Sequence, residues 1–317
     1  MFEYTNIKGE PKKIKARNIN PYLVQGNDTT ILKRRTPVCT VPEISFGSMP
    51  NDGGHSLLTD EERKELIAQG PDAKKWIRPL ISAHEYLNGK TRWCLWLVGI
   101  KDEELKKLVA INKRVQAVKK HRKESDRETT NKLAATPHLF GEDRQPNTNY
   151  IAIPRVSSEN RDYIPMAFFD KKYILSDTCL CVQKSTLFHF GILTSKMHMT
   201  WVRYTCGRLK SDYRYSNEIV YNNYPWTNGI SKRKKDIVEK LARSILDIRK
   251  KYIDEDYTLA KLYIPSKMPD DLLLAHQKLD DAVDKCYRDS PFTTDAKRIE
   301  FLFELYDSYT ANLFPDE

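Results

Sequence analysis

The chain has 317 residues, 40% hydrophobic and 10% aromatic, enough to bury a substantial core and to form two domains. Its 53 Lys and Arg against 43 Asp and Glu leave a net charge of +10, unevenly spread: residues 265–317 hold 12 acids and 6 bases, about −6, and the remaining 264 residues hold +16. That asymmetry points to a polyanion partner, nucleic acid ahead of an anionic membrane surface; with no membrane-length apolar run and no signal-peptide core in MFEYTNIKGEPKK, a cytoplasmic protein is expected.

Residues 1–35 are basic and polar, and Gly9, Pro11, Pro21 and Gly26 break any periodicity, so they read as a linker that begins mid-protein. VPEISFGSMPNDGGHSL (41–57) is a loop rich in Gly, Pro and Asn. Thr59 with Glu62 predicts a capping box on a helix that Gly70 and Pro71 end. RWCLWLV (92–98) predicts an apolar strand; a long charged helix follows over about 102–125, with Leu105, Leu108, Val115 and Val118 as its inner stripe. Short strands are predicted from Asn149: YIAIPRV (150–156), YIPMAFF (163–169), KYIL (172–175), CLCV (179–182) and LFHFGIL (187–193), all rich in β-branched and aromatic residues. After Trp226 the pattern is helical. Ser231 caps a helix with the stripe Ile237, Leu241, Ile245 and Ile248. Pro269 opens a second, with Leu272, Ala275, Leu279, Val283 and Cys286, and a third begins near Thr294 with Ile299, Leu302, Leu305 and Tyr306. The expected class is α+β: residues 36–229 form a mixed α/β domain with several short strands, and residues 230–317 a small all-α domain.

Positive charge concentrates in MHMTWVRYTCGRLKSDYRYS (197–216), which presents Arg203, Arg208, Lys210, Asp212 and Arg214 with Tyr204, Tyr213 and Tyr215 interleaved. Arg and Lys donate to phosphates or to guanine O6 and N7, and a carboxylate accepts from cytosine N4. A cationic strip with one acid inside it therefore suits base-pair reading as well as backbone holding. The same residues also fit a solvated basic face with tyrosines packed beneath. Two further clusters, Lys113, Arg114, Lys119, Lys120, Arg122 and Lys123, and Lys232, Arg233, Lys234 and Lys235, fall on predicted helices and read as solvated faces. Of six scattered cysteines, Cys179 and Cys181 share one face of a predicted strand; with no second pair to complete a zinc site, reduced core thiols are expected and no metal. His198, between two methionines, reads as a packed polar residue.

No phosphate-cradling Gly loop of Walker or dinucleotide type occurs. Asn20-Pro21-Tyr22 superficially resembles the Asn-Pro-Pro-aromatic motif of amino-methyltransferases, but the second proline is missing and only nineteen residues precede it. Pro71-Asp72 with Glu104 and Lys106 has a nuclease-like spacing, yet Glu104 and Lys106 fall in a predicted exposed helix. No catalytic residue is expected in this chain.

The segments FGSMPNDGG (46–54), IRPLISAHEYLNGKTRWCLWL (77–97), LAATPHLFGE (133–142), IPRVSSENRDYIP (153–165), HFGILTSKMHMTWVR (189–203), GRLKSDYRYS (207–216) and VYNNYPW (220–226) carry a resemblance, continued by MPDDLLLAHQKLDDAVDKCY (268–287) and RIEFLFELY (298–306). Together they resemble the C-terminal part of MmeI-like DNA methyltransferases, the single-chain restriction-modification enzymes called type IIL. In that family a nuclease, a helical spacer and an adenine-N6 methyltransferase domain precede a target recognition domain and a C-terminal helical domain, and this chain is similar to the last two. The resemblance implies double-stranded DNA as partner and a methyltransferase domain in cis or in trans. It also implies that S-adenosylmethionine belongs to that missing domain, with no cofactor here and no methyl transfer by this polypeptide alone.

In the family, pairs of side chains read single base pairs; the matching positions are Arg155 with Asp177, Thr178 with Arg214, and Lys210 with Asp212. A basic residue beside an acid fits a G·C pair. Ser157, Ser158, Arg161, Arg203 and Arg208 fall to the backbone contacts that set register. Arg155 and Asp177 equally fit an ion pair with each other. Two readings follow: a DNA recognition module of a methyltransferase, or a separate specificity subunit that docks on a methyltransferase chain through its acidic helical domain.

Overall fold

The computed structural model describes residues 1–4 and 10–311; Gly9, taken above as a breaker, lies outside them. The fold is α+β. It divides into two compact units: the first is Met1–Ile44, Pro154–Met166 and Ser185–Glu317, and the second is Ser45–Ile153 and Ala167–Lys184.

The second unit carries two four-stranded sheets. In one the order is Ile174–Leu175, Ile77–Ile81, Arg92–Leu95, Leu57–Leu58; in the other it is Ile44–Phe46, Cys179–Gln183, Tyr150–Pro154, Ala167–Phe169. Tyr150–Pro154 is buried along its whole length, as an unbroken apolar run should be when both faces are covered. Cys179 and Cys181 are buried in the adjacent strand as free thiols. Asp60–Gln69 starts at the expected capping box, Thr59 Oγ1 accepting from Glu62 N and Glu62 Oε2 accepting from Thr59 N. Its Leu66 joins Leu58, Ile77, Leu95, Leu97, Ile111 and Val115 in one apolar cluster. The long charged helix is in fact two, Asp102–Lys107 and Val109–Lys123, because Leu108 leaves helical space at φ −86°, ψ 69° and buries its side chain in that cluster.

Arg122, expected on a solvated face, is fully buried. Its Nε donates to Asn51 O at 2.9 Å, Nη1 to Leu133 O at 2.9 Å and Thr136 O at 3.0 Å, and Nη2 to Pro50 O and Leu139 O at 2.8 Å each. All five guanidinium donors thus meet carbonyls, and one side chain ties the FGSMPNDGG loop to the LAATPHLFGE loop. Gly47 brings the first loop against the turn at Ser176, where any Cβ would overlap the Ser176 carbonyl. Its N donates to Cys179 O at 3.1 Å, and Ser48 N to Leu175 O at 2.7 Å.

In the first unit, LFHFGIL is a helix, Leu187–Leu193, and not the expected strand. Thr186 decides it: Oγ1 accepts from Phe188 N, while Thr186 N donates to His189 Nδ1 at 3.0 Å, a capping box closed by histidine. Gly191 lets this helix lie close on Lys232–Asp254, since a Cβ there would come within 2.6 Å of Val238 Cγ1. Lys232–Asp254 begins at Ser231 as expected but buries Val238, Ala242, Ile245 and Arg249, with Ile237 43% exposed. The expected stripe was one residue out at three positions because the true face contains an arginine. Arg249 is satisfied inside: Nη1 donates to Met166 O at 2.6 Å and Nε to Tyr263 Oη at 2.5 Å. Asp270–Tyr287 buries all five residues of its expected stripe. Asp295–Thr310 buries Ile299, Leu302 and Tyr306, with Phe303 in place of the half-buried Leu305. YIPMAFF yields a strand only at Ala167–Phe169, since Pro165 has no N–H for a ladder. KYIL likewise shortens to Ile174–Leu175. The asparagines of VYNNYPW hold the N-terminal segment: Asn222 Nδ2 donates to Arg34 O at 2.8 Å and Asn223 Nδ2 to Leu32 O at 2.9 Å. Among the described residues no helix is long and apolar enough to cross a membrane.

Candidate nucleic-acid interface

The strip rich in Arg and Tyr folds as the end of a helix followed by a hairpin. Lys196–Thr205 starts at Ser195, whose Oγ accepts from His198 N. Gly207–Leu209 and Asp212–Arg214 then pair antiparallel, with Gly207 opposite Arg214, Arg208 opposite Tyr213 and Leu209 opposite Asp212. Val156–Ser157 adds a third strand beside Asp212–Arg214, with Tyr213 opposite Ser157 and Arg214 opposite Val156. Residues opposed in an antiparallel pair share a face, and successive residues alternate. One face therefore carries Gly207, Leu209, Asp212, Arg214 and Val156; the other carries Arg208, Tyr213 and Ser157.

Burial separates the two faces. Tyr213 and Ser157 are buried, whereas Gly207, Leu209, Arg214 and Val156 are exposed and Asp212 half-exposed. The tyrosines are the platform. Tyr215 Oη lies 2.9 Å from Nε2 of His198, which is buried as the sequence suggested and whose pKa burial holds down to about 3, so the imidazole is neutral. The Arg208 guanidinium stacks 4.0 Å over the Tyr213 ring and donates to Ser211 O at 3.1 Å. The strip is thus a basic face with tyrosines packed beneath it.

Lys210 occupies the hairpin tip with φ 56°. A two-residue hairpin needs positive φ there and favours glycine or asparagine; a lysine is strained by about 1 kcal/mol or more. The fold therefore holds an exposed ammonium at the tip against local backbone preference. Among the described residues, neither Lys210 nor Arg214 has an ion-pair partner. Asp212 is oriented from a neighbouring loop, Oδ1 accepting from Glu159 N at 3.2 Å. That loop is itself held by Asn160 N donating to Ser158 Oγ at 3.3 Å and Arg161 Nη1 to Ser157 Oγ at 3.4 Å. Arg155 is half-buried, its carbonyl accepting from Tyr215 N at 2.8 Å.

Arg155, Lys210, Asp212 and Arg214 thus gather on or beside one small sheet of the first unit. Asp177 and Thr178 belong to the second unit, in the turn that enters Cys179–Gln183. There Asp177 N donates to Ser48 O at 3.1 Å, Ser176 Oγ lies 3.3 Å from Asp177 Oδ1, and Thr178 Oγ1 accepts from Ala83 N at 3.2 Å. Arg203 is occupied within the protein: Nη1 pairs with Asp295 at 2.9 Å and Nη2 lies 3.6 Å from Asp162.

Sequence reasoning missed Glu159, Asp162, Asp280 and Asp295, which act across long sequence separations. Nothing in the sequence SSEN (157–160) says what its N–H groups hold. Asp280 ties the Pro154–Met166 segment to the last helices: Tyr163 Oη donates to Oδ2 at 2.6 Å and Lys196 N to Oδ1 at 2.7 Å. Desolvation raises its pKa to about 7, against the pull of those two donors. A carboxyl whose folded pKa exceeds its unfolded one contributes stability below the unfolded value, about 4, and loses it as pH rises through 7. Urea unfolding of Asp280→Asn and the parent at a series of pH values should show the parent losing ground to the variant between about pH 4 and 7. Parallel curves would mean that Asp280 titrates normally.

Residues 25–228 match the family described as "MmeI, target recognition domain" and residues 230–314 that described as "MmeI, C-terminal domain". A curated relative, DNA methyltransferase A of Bacillus subtilis (strain 168), is 42% identical over 302 residues, which cover 95% of this chain and 34% of the relative. A solved structure of the type IIL restriction-modification enzyme MmeI in complex with DNA superposes with a TM-score of 0.88 at 40% identity, over 98% of this chain and 41% of that one. The chain spans about a third of the length of the curated relative.

Proposed function

The chain belongs to the MmeI family through its target recognition and C-terminal domains, and from that premise we propose that it is the sequence-specific DNA recognition module of an adenine-N6 DNA methyltransferase of a restriction-modification system, acting in the cytoplasm. In this reading S-adenosylmethionine and methyl transfer belong to a methyltransferase domain, in cis or in trans, and no cofactor is assigned to these residues. The observation that carries it is the exposed sheet face, where Asp212 and Arg214 stand beside a lysine placed at the tip at positive φ. Lys210 with Asp212 suits one G·C pair, the ammonium donating to guanine and the carboxylate accepting from cytosine N4. Arg155 and Arg214, and separately Asp177 and Thr178, are assigned to further base contacts. Ser158, Arg161 and Arg208 are assigned to phosphates; Ser157, buried beneath the sheet, and Arg203, already held by two acids, fit that role least.

Fluorescence anisotropy with labelled duplex DNA tests the reading. Cationic contacts release condensed counterions, so about four phosphate contacts would weaken affinity about 100-fold between roughly 50 and 200 mM salt. Lys210→Ala and Arg214→Ala should weaken binding at low salt. Affinity flat across that range, or indifferent to both changes, would remove the basic face from DNA binding.

A further inference from the structure

We propose that Leu209 and Val156 form an apolar reading surface for the C5-methyl group of thymine, alongside the polar readers Asp212 and Arg214. The inference rests on the recognition reading above and deepens it. Both aliphatic side chains stand on the outward face of the three-stranded sheet, Leu209 directly opposite Asp212 and Val156 directly opposite Arg214. Leu209 is 51% exposed and Val156 38% exposed, although strand positions with such side chains ordinarily pack. Each polar reader therefore has an aliphatic neighbour within the spacing of a cross-strand pair, about 5 Å. Gly207, opposite Arg214 on its other side, has nothing within 4 Å of where a Cβ would stand, so this face is open.

The charge around the two aliphatics selects their occupant. Lys210 at the adjoining tip and Arg214 opposite Val156 stand beside them, which suits a polyanion and not the apolar core of a protein partner. In the major groove of duplex DNA the thymine methyl is the one apolar group that the bases present. An aliphatic beside a donor or acceptor can then read an A·T pair next to a pair read by hydrogen bonds. Serine at these positions would offer a hydroxyl where a methyl contact is needed.

The test separates the methyl from everything else about thymine. Duplexes enriched by the full chain from a random library are resynthesised with each thymine replaced singly by uracil, which removes only the C5-methyl, and affinities are measured by anisotropy. The parent chain should bind at least one uracil duplex about fourfold more weakly, the worth of one methyl taken from water. Leu209→Ser or Val156→Ser should abolish that difference while leaving the other thymine positions unchanged; Val156→Thr keeps one γ-methyl together with shape and β-branching, so it should retain part of the difference and guards against loss of the fold. An enriched motif without thymine, one whose thymines all tolerate uracil, or variants that weaken thymine and uracil duplexes equally would overturn this inference alone. Variants that bind as the parent does, uracil sensitivity included, would overturn it too and leave the two aliphatics to a protein partner. Failure to enrich any motif would overturn the recognition reading and this inference with it.

Discussion

Replacing Arg122 with alanine is expected to destabilise the chain by about 4 kcal/mol or more, a large share of the roughly 5–15 kcal/mol that holds a domain folded. The guanidinium is fully buried and satisfies carbonyls of Pro50, Asn51, Leu133, Thr136 and Leu139. Each buried acceptor stripped of its donor costs about 1–3 kcal/mol, and the vacated volume adds a cavity term. Arg122→Lys should recover only part of the loss, since an ammonium has three donors and lacks the planar fork that reaches two loops together. Urea unfolding followed by tryptophan fluorescence measures both; Trp76, Trp93 and Trp96 all lie in this unit. An alanine variant within 1 kcal/mol of the parent would mean that the two loops hold themselves.

Exchanging Lys210 and Asp212 in charge, as Lys210→Glu with Asp212→Arg, is expected to invert the preferred base pair at one position of the recognised sequence and leave the others intact. The pair occupies the tip and the adjacent strand of one hairpin, so the double change reverses donor and acceptor without moving them to another element. Lys210→Ala alone should relax that position by about 1–3 kcal/mol, roughly 5- to 150-fold in preference. Asp212→Arg also gives up the bond from Glu159 N, a modest cost of about 1 kcal/mol that acts on stability and not on which base is chosen. Methylome sequencing of cells carrying each variant within an enzyme assembled with its methyltransferase domain reads the outcome. An unchanged motif, or equal loss at every site, would place both residues on phosphate or in the fold.

Where local rules governed, the sequence was informative. Thr59 with Glu62, Ser231, Thr294 and the stripe from Leu272 to Cys286 needed only capping and helical period, and they stand where expected. The strip around Lys210 was visible because residue type and spacing mark it. What stayed hidden were residues whose role is set by distant partners. Arg122 looked like its solvated lysine neighbours because nothing in a basic run announces five carbonyls arriving from two loops. Arg203 looked like a phosphate contact because Asp295 is far away in sequence. Leu187–Leu193 looked like a strand because its composition favours one, and a single threonine–histidine cap overrode it. The exposed aliphatics Leu209 and Val156 needed the strand register before their shared face could be seen.

The claim that this hairpin face reads DNA sequence is tested most directly by selection of random duplex DNA on the full chain at about 50 mM salt, followed by sequencing. The expected result is an enriched motif with an invariant G·C pair, which the Lys210→Glu, Asp212→Arg double variant converts to C·G at that position alone. A retained pool with the composition of the starting library, or one motif shared by parent and double variant, would contradict it.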